Sequence, residues 1–207
     1  MKWSIWLLVA GTLAAGDGQR LFYSKSFPGS TPAYVQITVD KSGSVEYKEA
    51  PDDENPLKYK LRDQETADVF ALADKMDHFK TPVESGLKVA FMGKKTFRWE
   101  NGAEKHEVEF NYSEDPNARL MWEWFERMTE SAQQRINLDR AAKYDKLGVF
   151  KAVSQLGAAI DAKRLVGLEQ YLPTLDRIIK NETYMHTARV RASEIAEFIR
   201  GGKPPAQ

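Results

Sequence analysis

Glu107 and Glu109 stand two residues apart in an alternating stretch, so as strand residues both carboxylates fall on one face. A pair of acids flanking a sugar bond is the arrangement that hydrolyses it, one as acid and one as base. That reading needs a concave site and one carboxyl group held protonated; same-face neighbours on the outside of a hairpin are ordinarily just solvated. Other groups able to do chemistry are few. The three histidines, His78, His106 and His186, include no pair at the spacing of a zinc site. There is no cysteine and no Gly-x-Ser-x-Gly elbow, and the Ser85-to-Lys88 match to Ser-x-x-Lys runs into a strand pattern where a helix is required. Gly93-Lys94-Lys95-Thr96 ends like a phosphate-binding loop but lacks the upstream glycine, and reads as a turn whose lysines face water. Asp52-Asp53-Glu54 lacks the spacing of a calcium loop. Asn111-Tyr112-Ser113 and Asn181-Glu182-Thr183 match the glycosylation acceptor, which has meaning only in a eukaryotic host. The expectation is no catalytic residue, no cofactor and no metal.

Aromatic side chains offer a different chemistry. Trp99, Trp122 and Trp124 are candidate ligand-binding residues, because an exposed indole face stacks on a sugar or another small ligand. In Met121-Trp122-Glu123-Trp124-Phe125 the two indoles point roughly 200° apart if the segment is helical. One contact face cannot bury both. The expected solution is a strut with a sheet on one side and a helical part on the other.

The elements that would position these residues are legible in the hydrophobic period. From Leu21 to Tyr112 the pattern alternates. Val35, Ile37 and Val39, a turn at Asp40-Lys41-Ser42-Gly43, then Val45 and Tyr47 make a hairpin. Leu57, Tyr59 and Leu61 give a third short strand, and residues 87–112 form a second hairpin about Asn101-Gly102. Between them Val69, Leu72, Ala73, Met76 and Phe79 lie at helical spacing behind Asp63 as N-cap, up to Thr81-Pro82. At Asp115-Pro116 the period becomes helical for good, with expected helices over about 116–144, 146–162, 165–180 and 184–200. The expected fold class is α+β, an antiparallel sheet of hairpins covered by a helix, followed by an all-α helical subdomain. Its division is an α+β domain over 21–115, a helical subdomain over 116–200 and a disordered tail over 201–207.

Residues 1–16 have the order of a cleaved secretory signal: Lys2, the apolar run from Trp3 to Val9, then Ala14, Ala15 and Gly16. The expected location is exported, periplasmic or secreted. Absence of cysteine in such a compartment favours a bacterial source and an ordinary hydrophobic core. After the leader no apolar run approaches the roughly 20 residues that span a bilayer. The formal charge is zero, yet residues 17–115 carry 14 Lys and Arg against 19 Asp and Glu, and residues 116–207 carry 15 against 11. Opposite fields favour docking of the halves on each other, and the mixing of acids with bases argues against a nucleic-acid partner.

Two stretches resemble known families. Leu172-Pro173-Thr174-Leu175 and Ile178-Ile179-Lys180-Asn181, followed by Arg189, Ala192, Ile195 and Ile199, resemble a single HEAT-type helical hairpin over residues 172–199, with a turn longer than the family's. The repeated copies of a solenoid are not found. The resemblance implies a packing mode and a bias toward binding protein. Phe27-Pro28-Gly29-Ser30-Thr31-Pro32-Ala33-Tyr34 with the Asp40-to-Tyr47 hairpin resembles exported bacterial domains of unknown function, which carries no activity across. The expectation is therefore a non-catalytic protein-interaction or envelope-associated module, acting on a protein partner or by self-association. A small-ligand or carbohydrate module and a carboxylate-dependent hydrolase are the alternatives.

Overall fold

A computed structural model describes residues 18–201; the leader-like segment over 1–16 and the tail from 202 onward lie outside the described residues. The fold is α+β. Six antiparallel strands form one sheet in the order β4-β3-β2-β1-β5-β6. They are β1 (Arg20–Ser26), β2 (Tyr34–Asp40), β3 (Ser44–Lys48), β4 (Leu57–Lys60), β5 (Lys94–Asn101) and β6 (Glu104–Phe110). The hairpin at Asp40 closes as its turn residues dictate. Gly43 donates to the Asp40 carbonyl at φ 81°, and the Asp40 carboxylate takes the amides of Ser42 and Ser44.

One face of the sheet is apolar and the other polar, because side chains alternate along every strand. Leu21, Tyr23, Ile37, Val39, Val45, Tyr47, Phe97 and Trp99 point inward and are buried. The outer face carries cross-strand charge pairs such as Lys58 with Glu46 and Arg98 with Glu107. The expected strand before Gly93 is absent: residues 83–93 form no strand, and the second hairpin begins at Lys94.

Two helices cover the inner face. In α1 (Asp63–Lys75) the N-cap is Arg62, one residue earlier than expected; Glu65 reaches back to the Arg62 amide at 2.8 Å, and Asp63 lies in the first turn. The helix also stops sooner than its apolar stripe suggests. Asp77, His78 and Phe79 take left-handed φ values of 45°, 54° and 62°. Each left-handed residue costs roughly 1–2 kcal/mol; burial of Phe79 against Phe97 and stacking of His78 on Trp99 at 4.3 Å are the offsetting contacts that a continued helix would forgo.

The long α2 (Pro116–Tyr144) starts at the expected residues, with the Asp115 carboxylate accepting from the Asn117 and Ala118 amides. Ala118, Met121, Phe125, Met128 and Ala132 make its buried stripe against the sheet, where Phe125 stacks on Tyr23 at 4.7 Å. Farther on, Leu138 and Ala142 belong to a second core with α3 (Val149–Asp161), α4 (Leu172–Lys180) and α5 (His186–Ile199). The strut thus joins sheet and helices along its length, not through opposite faces: Trp122 and Trp124 are both half-buried at the rim of the first core. Among the described residues no helix is long and apolar enough to cross a membrane.

The segment between α3 and α4 locks the two cores together. Gly167 sits at φ 59° with its amide on Glu65, and a Cβ there would lie 2.6 Å from the Lys60 carbonyl oxygen, so only glycine fits. The Tyr171 hydroxyl donates to the Ser131 carbonyl and the Val166 amide to the Ser131 hydroxyl. The C-terminus of α3 is a Schellman turn, with Arg164 donating to Ala159 and Lys163 to Ile160, but Lys163 occupies the left-handed position at φ 55°. Replacing Lys163 by Gly should stabilise the protein by about 1 kcal/mol, seen as a higher urea midpoint at unchanged slope; an unmoved midpoint would mean that the turn stores no strain.

Candidate functional site

The alternation that runs outward to Lys94 runs inward to Lys95. This side chain, read from sequence as one of two solvated turn lysines, is 1 % exposed. Its ammonium group donates to the carbonyls of Asn111 at 2.7 Å, Met92 at 3.3 Å and Gly93 at 3.3 Å, so all three of its protons are used. Burial lowers its pKa, with Lys25 adding to the effect while Glu126 and Glu84 oppose it. Three carbonyls from two chain segments held by one buried cation make a rigid base for the loop 83–93.

The rest of that loop is held by Asn111 and Glu84. The Asn111 side chain accepts from the Met92 amide at 2.7 Å and donates to the Ala90 carbonyl at 3.1 Å, standing in for a neighbouring strand. The Glu84 carboxylate accepts the Asn111 amide at 2.6 Å, and this bond, with further amides of the loop, keeps its pKa below the ordinary value. Ser85 donates to the Tyr112 carbonyl. Between these ties Leu87, Val89 and Phe91 are exposed, Phe91 by 58 %. Phe91 meets the edge of half-buried Phe27, ring centroids 5.9 Å apart, so two loops at one end of the sheet share an apolar rim. The sequence reading of residues 87–112 as one hairpin includes this segment, which the structure leaves outside it. Nothing local distinguishes a paired alternating segment from one held off the sheet by a side chain. Counting parity backward from Phe97 would have placed Lys95 inside.

Beside Lys95 lies a cavity of about 80 Å³ lined by Phe110, Tyr112, Ser113, Arg119 and Trp122 among others. It brings together one sequence candidate, Trp122, and neither of the others. The Trp122 indole N–H donates to Glu126 at 2.8 Å, and Lys95 lies 5.1 Å from the ring centre. Glu126 also accepts from Lys25 at 3.0 Å and Tyr23 at 3.2 Å, which fastens α2 to β1. The cavity is far below the roughly 300 Å³ at which ligand pockets begin, so it does not admit a sugar ring stacked on Trp122.

The other candidates are placed elsewhere. Trp99 is 2 % exposed, sandwiched between His78 at 4.3 Å and His106 at 5.5 Å, and cannot serve as a stacking platform. Trp124 is half-buried, with the Arg127 guanidinium 4.7 Å from its ring centre. Glu107 and Glu109 lie on the open outer face, Glu107 paired with Arg98 and Glu109 with Lys94 at 2.7 Å. That face has no enclosed wall against which one carboxyl could be kept protonated, which removes the acid and base geometry the hydrolase reading required. Among the described residues no group of three or more His, Asp or Glu side chains gathers as a metal site would need. Compared with known proteins, the chain matches no family model and no curated sequence.

Proposed function

We propose that this protein is an exported, non-catalytic interaction module that binds another protein through the apolar loop carrying Leu87, Val89 and Phe91. The observation that supports this reading is the combination of exposure and rigidity in that loop. Three large apolar side chains face water while Lys95, Asn111 and Glu84 hold their backbone in place. A loop already ordered before binding loses little conformational entropy on contact, so its apolar area converts more fully into affinity. Apolar side chains kept in water at an edge of the fold are the mark of a contact surface.

The test is retention of a discrete partner by the tagged protein from an envelope extract, combined with native mass spectrometry for self-association. Phe91→Ser should reduce retention or self-association about tenfold while leaving the circular dichroism spectrum unchanged, because Phe91 is mostly in water. A strictly monomeric wild-type protein that retains nothing would overturn the reading, as would equal retention by the variant.

A further inference from the structure

A second apolar surface lies on the helical part, at the end where α2 stops, α3 begins and the turn before α5 comes alongside. Tyr144, the last residue of α2, is 74 % exposed, and Leu147, in the connecting turn, 82 %. Phe150 in the first turn of α3 and Met185 just before α5 are exposed too. The hydroxyl of Tyr184 donates to the Ala142 carbonyl at 2.6 Å, which brings Met185 to the same end. The turn is rigid, since the Gly148 amide is bound by both the carbonyl and the carboxylate of Asp145, at 3.0 and 2.9 Å. Leu147 is therefore held out into water by a fixed cap.

Charge along the α2–α3 connection is one-sided, while the turn before α5 adds one exposed acid, Glu182. Residues 140–151 contain Arg140, Lys143, Lys146 and Lys151 against Asp145 as the sole acid. Lys143, Lys146 and Lys151 are exposed and pair with no carboxylate among the described residues; Lys143 lies over the Tyr144 ring at 4.9 Å. Asp145 is occupied in capping the turn.

We propose that this tip docks on the surface of an anionic phospholipid bilayer. At 74 % and 82 % exposure Tyr144 and Leu147 stand out into water and are not the walls of a groove able to receive a peptide or a helix. A projecting apolar end ringed by unpaired lysines suits a fluid interface. Leucine and aromatic rings enter the boundary between headgroups and acyl chains, and the flexible ammonium groups remain among the phosphates. The negative surface potential of such a leaflet supplies the complementary charge, at a gain of about fivefold in binding for each lysine near it. This surface is separate from the loop at residues 83–93, and neither reading depends on the other.

The chain has no cysteine, so a single cysteine at position 147 can carry an environment-sensitive dye. The full-length Leu147→Cys protein is mixed with vesicles of phosphatidylglycerol and phosphatidylcholine, and separately with vesicles of phosphatidylcholine alone. The control is Asp52→Cys, whose dye sits in the exposed loop between β3 and β4. The expected result is a blue shift and brightening at position 147 with the anionic vesicles, little change at position 52, and weakening as salt is raised. Adding Lys146→Glu and Lys151→Glu should cut binding by more than tenfold. No change at position 147, an equal change at position 52, or equal binding to neutral vesicles would overturn the proposal. So would a blue shift that follows protein concentration without vesicles, which would identify a second copy as the occupant.

Discussion

Between one and two pH units above the ordinary phenol value, the protein should unfold in a single cooperative step. Tyr23, Tyr47, Tyr59 and Tyr171 are buried in the two cores, and burial is the leading cause that pushes each hydroxyl well above the usual 10.0. At Tyr23 the nearby Glu126 carboxylate adds to the shift. In the unfolded chain the same phenols ionise near 10, so above that pH the unfolded state binds fewer protons and gains stability relative to the fold. The contribution is complete below pH 10 and is lost as pH rises from there toward the raised folded values. One unit above 10 the loss is about 1–2 kcal/mol per phenol. Four phenols together approach 5 to 6 kcal/mol, comparable with the roughly 5–15 kcal/mol that holds a domain together. Tyrosinate absorbance from these four phenols should appear together with loss of the far-ultraviolet dichroism. Ionisation of Tyr23, Tyr47, Tyr59 and Tyr171 near 10, with the fold intact, would contradict this account of the cores.

Replacing Lys95 by Met should destabilise the protein by about 2–4 kcal/mol and loosen the apolar loop. The substitution preserves most of the buried volume, so little of the loss comes from a cavity. It comes from the carbonyls of Met92, Gly93 and Asn111, which lose a charged donor at 2.7–3.3 Å; an unsatisfied buried acceptor costs about 1–3 kcal/mol. Removing the desolvated charge returns part of that, which is why the expected loss is smaller than three orphaned carbonyls would suggest. The pH dependence gives an independent readout. Because burial lowers the lysine's pKa in the fold, the unfolded chain holds more protons between that lowered value and 10.5. Wild-type stability should therefore climb with pH through this window, opposite in sign to the tyrosine effect above it. The Lys95→Met protein should lack the climb and show faster hydrogen exchange at Met92 and Gly93. A variant as stable as wild type, with the loop equally protected, would mean that Lys95 is not what holds the loop.

Residues whose signal is local were readable in advance. Asp115 and Pro116 start α2 because a carboxylate cap and a missing amide act within one turn of chain. Asn101-Gly102 and Asp40-to-Gly43 set their hairpins for the same reason. Less local facts were not readable. β1 lies at the centre of the sheet, although only Leu21 and Tyr23 on it are fully buried; its place follows from pairing with β5, whose partner residues lie 68 to 80 positions away (94 − 26 and 100 − 20). The early stop of α1 is set by where Trp99 and Phe97 wait across the sheet, not by any breaker within the helix.

Alone, the amino-acid order determined the class of structure, the two kinds of period, and the turn and cap residues that separate them, because these depend on neighbours a few positions apart. The tertiary structure decided which polar groups are enclosed and which apolar groups are left outside. Lys95 turned inward to bind three carbonyls, Trp99 was closed between two histidines, and Leu87, Val89, Phe91 and Leu147 stayed in water. Burial is a property of segments brought together from distant parts of the chain, and a hydrophobic pattern states only that a side chain can be buried, not that a partner arrives to bury it.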